Sequence, residues 1–119
     1  MLPPEEINYV INKRIELNLS FMPFIQNGGL FIPTPDFYTL GDSLVLHLMI
    51  PERKEPLTIQ GKVVWVISKH ALHYSVPGIG IQFTGQNAKS MLNIIKENID
   101  SMIDIGGYSY GVIEENKNL

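Results

Sequence analysis

Three histidines, twelve carboxylates and no cysteine set the side-chain chemistry available to this 119-residue chain. His70 and His73 stand in the H-x-x-H spacing that, on a helix, aims two imidazoles at one metal. Here they fall in a predicted loop with no third ligand at a recognisable spacing, and they read as a solvated pair. His47 lies in an alternating segment, opposite the face formed by Leu44, Leu46, Leu48 and Ile50, and reads as structural. Ser109 has the G-x-S-x-G spacing, in Gly107-Tyr108-Ser109-Tyr110-Gly111, but the run follows a predicted helix end rather than a strand, so it is not expected to form a nucleophile elbow and triad chemistry is not predicted. Acid–base work needs carboxylates converging on a cleft, whereas Asp36, Asp42, Glu52 and Glu55 all sit in predicted turns. Gly78-Ile79-Gly80 opens a strand, and Phe83 stands where a dinucleotide loop has its third glycine. The sequence predicts a non-enzymatic protein with no catalytic residue, no metal ligand and no cofactor.

Two other stretches carry candidate binding chemistry. Phe21, Met22, Pro23, Phe24 and Ile25 are densely apolar without clean alternation. Such a run either reaches the core from an irregular backbone or stays exposed as an anchor for a partner. Tyr108 and Tyr110, flanked by glycines, either order on docking to a partner or belong to a loose end.

The elements that must position these residues follow from apolar periodicity. Ile7, Tyr9 and Ile11 alternate as in a strand, and a helical turn follows before Phe21. Asn27-Gly28-Gly29 supplies residues that tolerate positive φ between Phe24-Ile25 and Leu30-Phe31-Ile32, a hairpin signal. Residues 44–50 form a strand. The longest strand has Leu57, Ile59, Val63, Trp65 and Ile67 on its inner face and Thr58, Gln60, Lys62, Val64 and Val66 on the other. Gly61 marks an expected bulge or bend within it. Ile79, Ile81 and Phe83 face inward from a further strand. From Ala88 the period changes: Ala88, Met91, Leu92, Ile95, Ile99, Met102 and Ile103 step by three or four residues. An amphipathic helix over about residues 87–104 is predicted, with Asn87 as N-cap and Gly106-Gly107 at its end. The expected architecture is all-β with a terminal helix, a small antiparallel barrel plugged or flanked by that helix.

Composition agrees with this reading. At 45% hydrophobic and 18% charged, the chain describes one globular domain over residues 1–105 and a flexible tail over 106–119. Nine basic residues scattered against twelve acidic ones leave no cationic stripe for phosphates, so nucleic-acid binding is not expected. No apolar run approaches the ~18 residues needed to span a bilayer. The opening Met1-Leu2-Pro3-Pro4-Glu5-Glu6 lacks the basic and apolar regions of a secretory signal. A cytoplasmic protein without membrane insertion is the expectation, and the lack of cysteine fits a reducing compartment.

The run Met22-Pro23-Phe24-Ile25-Gln26-Asn27-Gly28-Gly29-Leu30-Phe31-Ile32-Pro33-Thr34 resembles the signature of the PilZ family, specifically its type IV pilus assembly subfamily. The likeness continues in order through Leu40-Gly41-Asp42, Gly61-Lys62-Val63-Val64-Trp65-Val66 and Gly78-Ile79-Gly80-Ile81-Gln82-Phe83. This resemblance implies a six-stranded antiparallel β-barrel with a C-terminal α-helix. Most PilZ domains are receptors for cyclic di-GMP, using an R-x-x-x-R segment before the barrel and a [D/N]-x-S-x-x-G segment on it. Paired arginines give bidentate bonds to phosphates and stack on guanines, and the Asp or Asn and the Ser add polar bonds to the bases.

This sequence departs from that pattern. Lys13 and Arg14 are adjacent, so R-x-x-x-R is absent. Aligned on Gly29, Phe24 replaces the acid or amide and Gln26 replaces the serine. Hydrogen bonds to charged groups are worth roughly 1.5–3 kcal/mol each, so losing several weakens binding by about three orders of magnitude. The expectation is no useful cyclic di-GMP affinity and a protein-binding surface in its place. The resemblance implies an adaptor in pilus biogenesis and twitching motility, with the pilus extension ATPase and an EAL-domain cyclic di-GMP receptor as partners. Phe21 stands where the subfamily commonly has tyrosine, which keeps the ring and loses the hydroxyl. The alternative reading is a direct cyclic di-GMP receptor using Lys13, Arg14 and Asn27.

Overall fold

In the computed structural model of the chain, the residues described are 3–68 and 76–99. Five strands and two helices run in the order β1 (Glu5–Val10), α1 (Arg14–Ser20), β2 (Gly29–Pro33), β3 (Ser43–Met49), β4 (Leu57–Ile67), β5 (Gly78–Phe83) and α2 (Ala88–Asn98). The strands form a single sheet ordered β1-β3-β4-β5-β2, curled into a half-barrel. This corrects the expected six-stranded antiparallel barrel in two respects. The described residues hold five strands, and β1 runs parallel to β3, pairing Ile7 with Leu46 and Tyr9 with Leu48. Alternation shows that a segment is a strand but not its direction. The chain passes through α1 and β2 between β1 and β3, and that long crossover permits the parallel pairing.

The concave face of the sheet carries the core. Leu44, Leu46 and Leu48 of β3, Leu57, Ile59 and Val63 of β4, and Ile79, Ile81 and Phe83 of β5 are buried there, all on the expected inward faces. Leu17 of α1 and Ile95 of α2, both fully buried, belong to the same cluster, so both helices cover the concave side. The only acid in the first turn of α1 is Glu16, which accepts a bond from the Asn12 backbone N–H (3.4 Å) and complements the positive end of the short helix.

The sequence-based boundaries shift at two further places. The irregularity in β4 lies between Val63 and Trp65, not at Gly61, which stays in register opposite Leu44 and Phe83. A Cβ at Gly61 would collide with Ile81 Cγ2, so this glycine admits a core side chain rather than bending the strand. Helix α2 ends at Asn98, short of residue 104, with Ile99 extended at φ −73° and ψ 130°. Asn98 donates its side-chain amide to the Ile94 carbonyl (2.8 Å), a local bond that competes with continued helix. The expected N-cap Asn87 makes no capping bond from its side chain.

Candidate binding surface on the outer face of the sheet

The irregularity at Val64 reorients the end of β4. Val63 pairs with Ile81, but Trp65 pairs with Gly80, so Val64 is the additional residue and Trp65 turns to the convex face. Sequence alternation places Trp65 inward with Val63, and the inserted residue is what defeats it. On that convex face Phe31 of β2 pairs with Gly80, while its neighbours Leu30 and Ile32 pair with Ile81 and Ile79 and point into the core. Met22 and Phe31 are fully buried yet lie outside the core cluster. They make a second, smaller apolar layer on the opposite side of the sheet.

Three glycines form the floor of this layer. A Cβ at Gly78 would sit 2.5 Å from Phe31 Cζ, and one at Gly80 would sit 2.7 Å from Trp65 Cβ and 3.1 Å from Met22 Sδ. At Gly29 it would approach the Ile81 carbonyl oxygen at 2.6 Å and Ile25 Cδ1 at 2.9 Å. Each glycine lets a large apolar side chain lie directly on the backbone.

Residues 22–29 form a closed loop over this floor. The Met22 N–H donates to the Gly29 carbonyl (2.9 Å), the Gly28 N–H to the Ile25 carbonyl (2.8 Å) and the Phe83 N–H to the Gly28 carbonyl (3.0 Å). The Gln82 side-chain amide donates to the Gln26 carbonyl (3.0 Å). The expected turn is present, with Asn27 at φ 68° and Gly28 at φ 83°. It does not join two strands as a simple hairpin, because Phe24 and Ile25 are not in a strand; only an isolated bridge pairs Phe21 with Leu30.

The candidate residues therefore separate. Met22 lies beneath the loop and supports it rather than meeting solvent. Phe21 and Ile25 are half-buried and Pro23 is exposed. Phe24 is 54% exposed, with its ring tilted 59° against Trp65 at a centroid distance of 5.8 Å. A depression of about 410 Å³ runs between Phe21, Phe24 and Ile25 on the loop and Leu92 and Lys96 on α2. Lys96 is the one charged residue among its described lining. Trp65, Leu92 and Lys96 are the members that sequence reasoning missed. The available signal was Gly78-x-Gly80, since a strand face with two missing side chains must be covered by something large. Tyr108 and Tyr110, like His70 and His73, lie outside the described residues.

The positions of a nucleotide-reading motif offer little polar chemistry. Phe24 presents a ring, Gln26 engages its backbone carbonyl with Gln82, and Gly29 is buried under Ile25. Arg14 pairs with Glu52 (2.7 Å) at the surface, and neither Lys13 nor Arg14 lines the depression beside Asn27.

Elsewhere, His47 Nε2 meets Glu6 Oε1 at 2.7 Å and its Nδ1 lies 3.5 Å from Thr58 Oγ1. This carboxylate–imidazole–hydroxyl line crosses β1, β3 and β4 on an open face. Its last separation is too long for the imidazole to activate the hydroxyl. Among the described residues no three His, Cys, Asp or Glu side chains gather as a metal-binding group. No helix among them is long and apolar enough to cross a membrane.

The described residues form a curled sheet bearing a loop-capped apolar shelf, and among them no acid, base and nucleophile converge. The PilZ domain model matches residues 8–100, and the chain belongs to the PilZ family. PilZ domains are generally non-enzymatic and bind cyclic di-GMP and protein partners. No curated protein matched the chain.

Proposed function

We propose that this PilZ domain is a cytoplasmic adaptor of the type IV pilus assembly subfamily, acting in pilus biogenesis and twitching motility by binding proteins rather than the messenger. The partners in this reading are the pilus extension ATPase and an EAL-domain cyclic di-GMP receptor. The docking surface is Phe24 with Trp65, Pro23, Ile25 and Phe21 around it, and Tyr108 and Tyr110 supply a second contact. One observation carries the reading. At the position where cyclic di-GMP receptors of the family hold an Asp or Asn, this chain holds Phe24, half-exposed and tilted against a tryptophan. Exposed aromatic side chains with a firm apolar backing are the residues that dominate protein–protein binding energy.

The test is capture of the extension ATPase by wild type and by Phe24→Glu, with folding checked by the thermal midpoint of each. A charge on the shelf is expected to abolish capture and leave the midpoint nearly unchanged. Equal capture by both proteins would remove the shelf from the interface. Calorimetry with cyclic di-GMP provides the second arm. The expected result is no saturable heat at micromolar messenger, and a saturable isotherm would make the chain a direct receptor.

A further inference from the structure

The most exposed large apolar side chain among the described residues lies away from the shelf. Phe37, 93% exposed, stands in the segment between β2 and β3, which also exposes Leu40. Single exposed apolar residues are ordinary on a protein surface, so the neighbours decide what this one means. Phe37 lines a depression of about 350 Å³ together with Pro35, Asp36, Tyr38 and the partly exposed Val66 of β4. A second depression, of about 530 Å³, is lined by Pro3, Pro4, Glu5, Asp42 and the same Tyr38. Tyr38 is thus the wall common to both.

Charge on this surface has one sign. Asp36 lines the first depression, Glu5 and Asp42 line the second, and no lysine or arginine is among the described lining of either. The sequence holds no lysine or arginine from residue 15 to residue 52. Lys62, opposite Ser43 in the β3–β4 register, lines neither depression. The ion pairs among the described residues, Arg14–Glu52 and His47–Glu6, involve none of the three carboxylates. All three act on one point: the Tyr38 hydroxyl is held above its ordinary 10.0 first by burial and then by Glu5, Asp36 and Asp42. The backbone fixes the patch in place. The Asp36 N–H donates to Thr34 Oγ1 (3.1 Å), the Thr39 N–H to Asp42 Oδ2 (2.9 Å) and the Gly41 N–H to the Val63 carbonyl (2.8 Å). A held surface costs less ordering on docking than a loose one.

We propose that the Phe37–Tyr38 patch is a further docking surface, which takes an arginine-bearing, apolar-anchored segment of a protein partner. A guanidinium stacks on an aromatic face while its fork of N–H donors reaches a carboxylate, and Phe37 and Asp36 line the same depression. An apolar side chain beside that arginine covers Val66 and the remainder of the Phe37 ring. The same carboxylates repel nucleic acid and anionic lipid. Neither Phe24 nor Trp65 lines either depression, so this inference does not depend on the role of the shelf.

The probe is a short synthetic peptide in which leucine alternates with arginine, titrated into the isotope-labelled full chain and followed by NMR. Its counterpart carries glutamate in place of arginine. Saturable shifts are expected at the backbone amides of Asp36, Phe37, Leu40, Asp42 and Val66, and none with the glutamate peptide. Phe37→Ser should weaken binding roughly tenfold, the loss of one seated anchor. Asp36→Asn should weaken it several-fold. Both variants should keep the wild-type thermal midpoint, because both side chains are exposed. Salt should weaken binding further, since the Debye length falls from about 10 Å at 0.1 M to about 3 Å at 1 M. Shifts spread over Glu16, Glu55 and Glu97 and indifferent to Phe37→Ser would mean general attraction to an acidic protein. Equal binding of the glutamate peptide would mean an apolar patch without charge selection. Broadening at Phe37 that grows with protein concentration alone would assign the patch to a second copy of this chain. Each of these overturns the proposal, as does an unshifted spectrum. None of them bears on capture of the ATPase through Phe24, so failure of this patch and failure of the shelf are separately visible.

Discussion

The two faces of one sheet behave as different materials. On the concave side, Leu, Ile, Val and Phe from three strands interlock with Leu17 and Ile95 from the helices, and no residue of that set depends on a glycine opposite it except at Gly61. On the convex side, at the β2–β5–β4 end, the strands contribute Gly29, Gly78 and Gly80, and the apolar mass comes from a loop and from a residue displaced by an irregularity. The first face is a core that any alternating strand can build. The second is a shelf only one or two side chains deep, with its outermost ring in solvent. Burial on the concave side serves stability, whereas the half-exposed Phe24 is available to a partner.

The largest expected effect lies on the concave face. Leu46→Ala removes a fully buried side chain from the middle of β3 and should cost about 2–5 kcal/mol, read as a lowered urea midpoint. That is a large share of the roughly 5–15 kcal/mol that holds a domain of this size together. A smaller loss than that of any shelf substitution would invert the comparison.

Next comes the shelf floor. Gly80→Val improves strand propensity, yet its Cβ must displace Trp65 Cβ and Met22 Sδ, which lie at 2.7 Å and 3.1 Å. Overpacking should prevail, at about 1–3 kcal/mol, together with a change in Trp65 emission. A stabilised protein with unchanged emission would show that the floor has slack.

How far the sequence reveals these two faces follows from their construction. The concave core was legible, because Leu44, Leu46, Leu48, Ile79, Ile81 and Phe83 obey a strict two-residue period and nothing interrupts it. The short helix before Phe21 and the turn at Asn27-Gly28 were legible for similar local reasons. Strand direction was not, since β1 would alternate identically beside either orientation of β3. The position of Trp65 was not, because one unpaired residue at Val64 exchanges the faces beyond it and alternation carries no marker for that residue. The end of α2 was missed because Ile99, Met102 and Ile103 continue the helical period past Asn98, where a side-chain bond to the Ile94 carbonyl competes with it. In the candidate site, the apolar run around Phe24 stood out by composition, whereas Leu92 and Lys96 join it only through tertiary packing.

Phe24→Ala comes third and separates the two roles of the shelf. An aromatic pair is worth about 0.5–1.5 kcal/mol beyond its buried area, and this ring already faces solvent over half its surface. Stability should fall by about 1 kcal/mol. Partner capture should fall far more, because anchor residues of interfaces commonly contribute ~2 kcal/mol or more. Parallel losses in both measurements would mean that Phe24 serves the fold rather than an interface.

The smallest effect is a pH dependence at the margin of the concave core. Tyr38 is buried in that cluster, and burial together with the nearby Glu5, Asp36 and Asp42 carboxylates raises its hydroxyl above the ordinary value of 10.0. The hydroxyl also donates to Glu5, a bond that exists only while the proton is in place. The folded protein thus holds this proton more tightly than the unfolded chain does. The stability that follows is complete below pH 10 and is lost as pH rises through the higher folded value. Tyr38→Phe removes the titrating group while keeping the ring, so the variant should be slightly less stable at pH 7 and should lose less stability than wild type above pH 10. Urea titrations at pH 7 and at pH 10 to 11 read both differences. Equal alkaline losses in the two proteins would mean that the hydroxyl is as free to ionise in the fold as in water, and that the concave face is open to solvent at this margin.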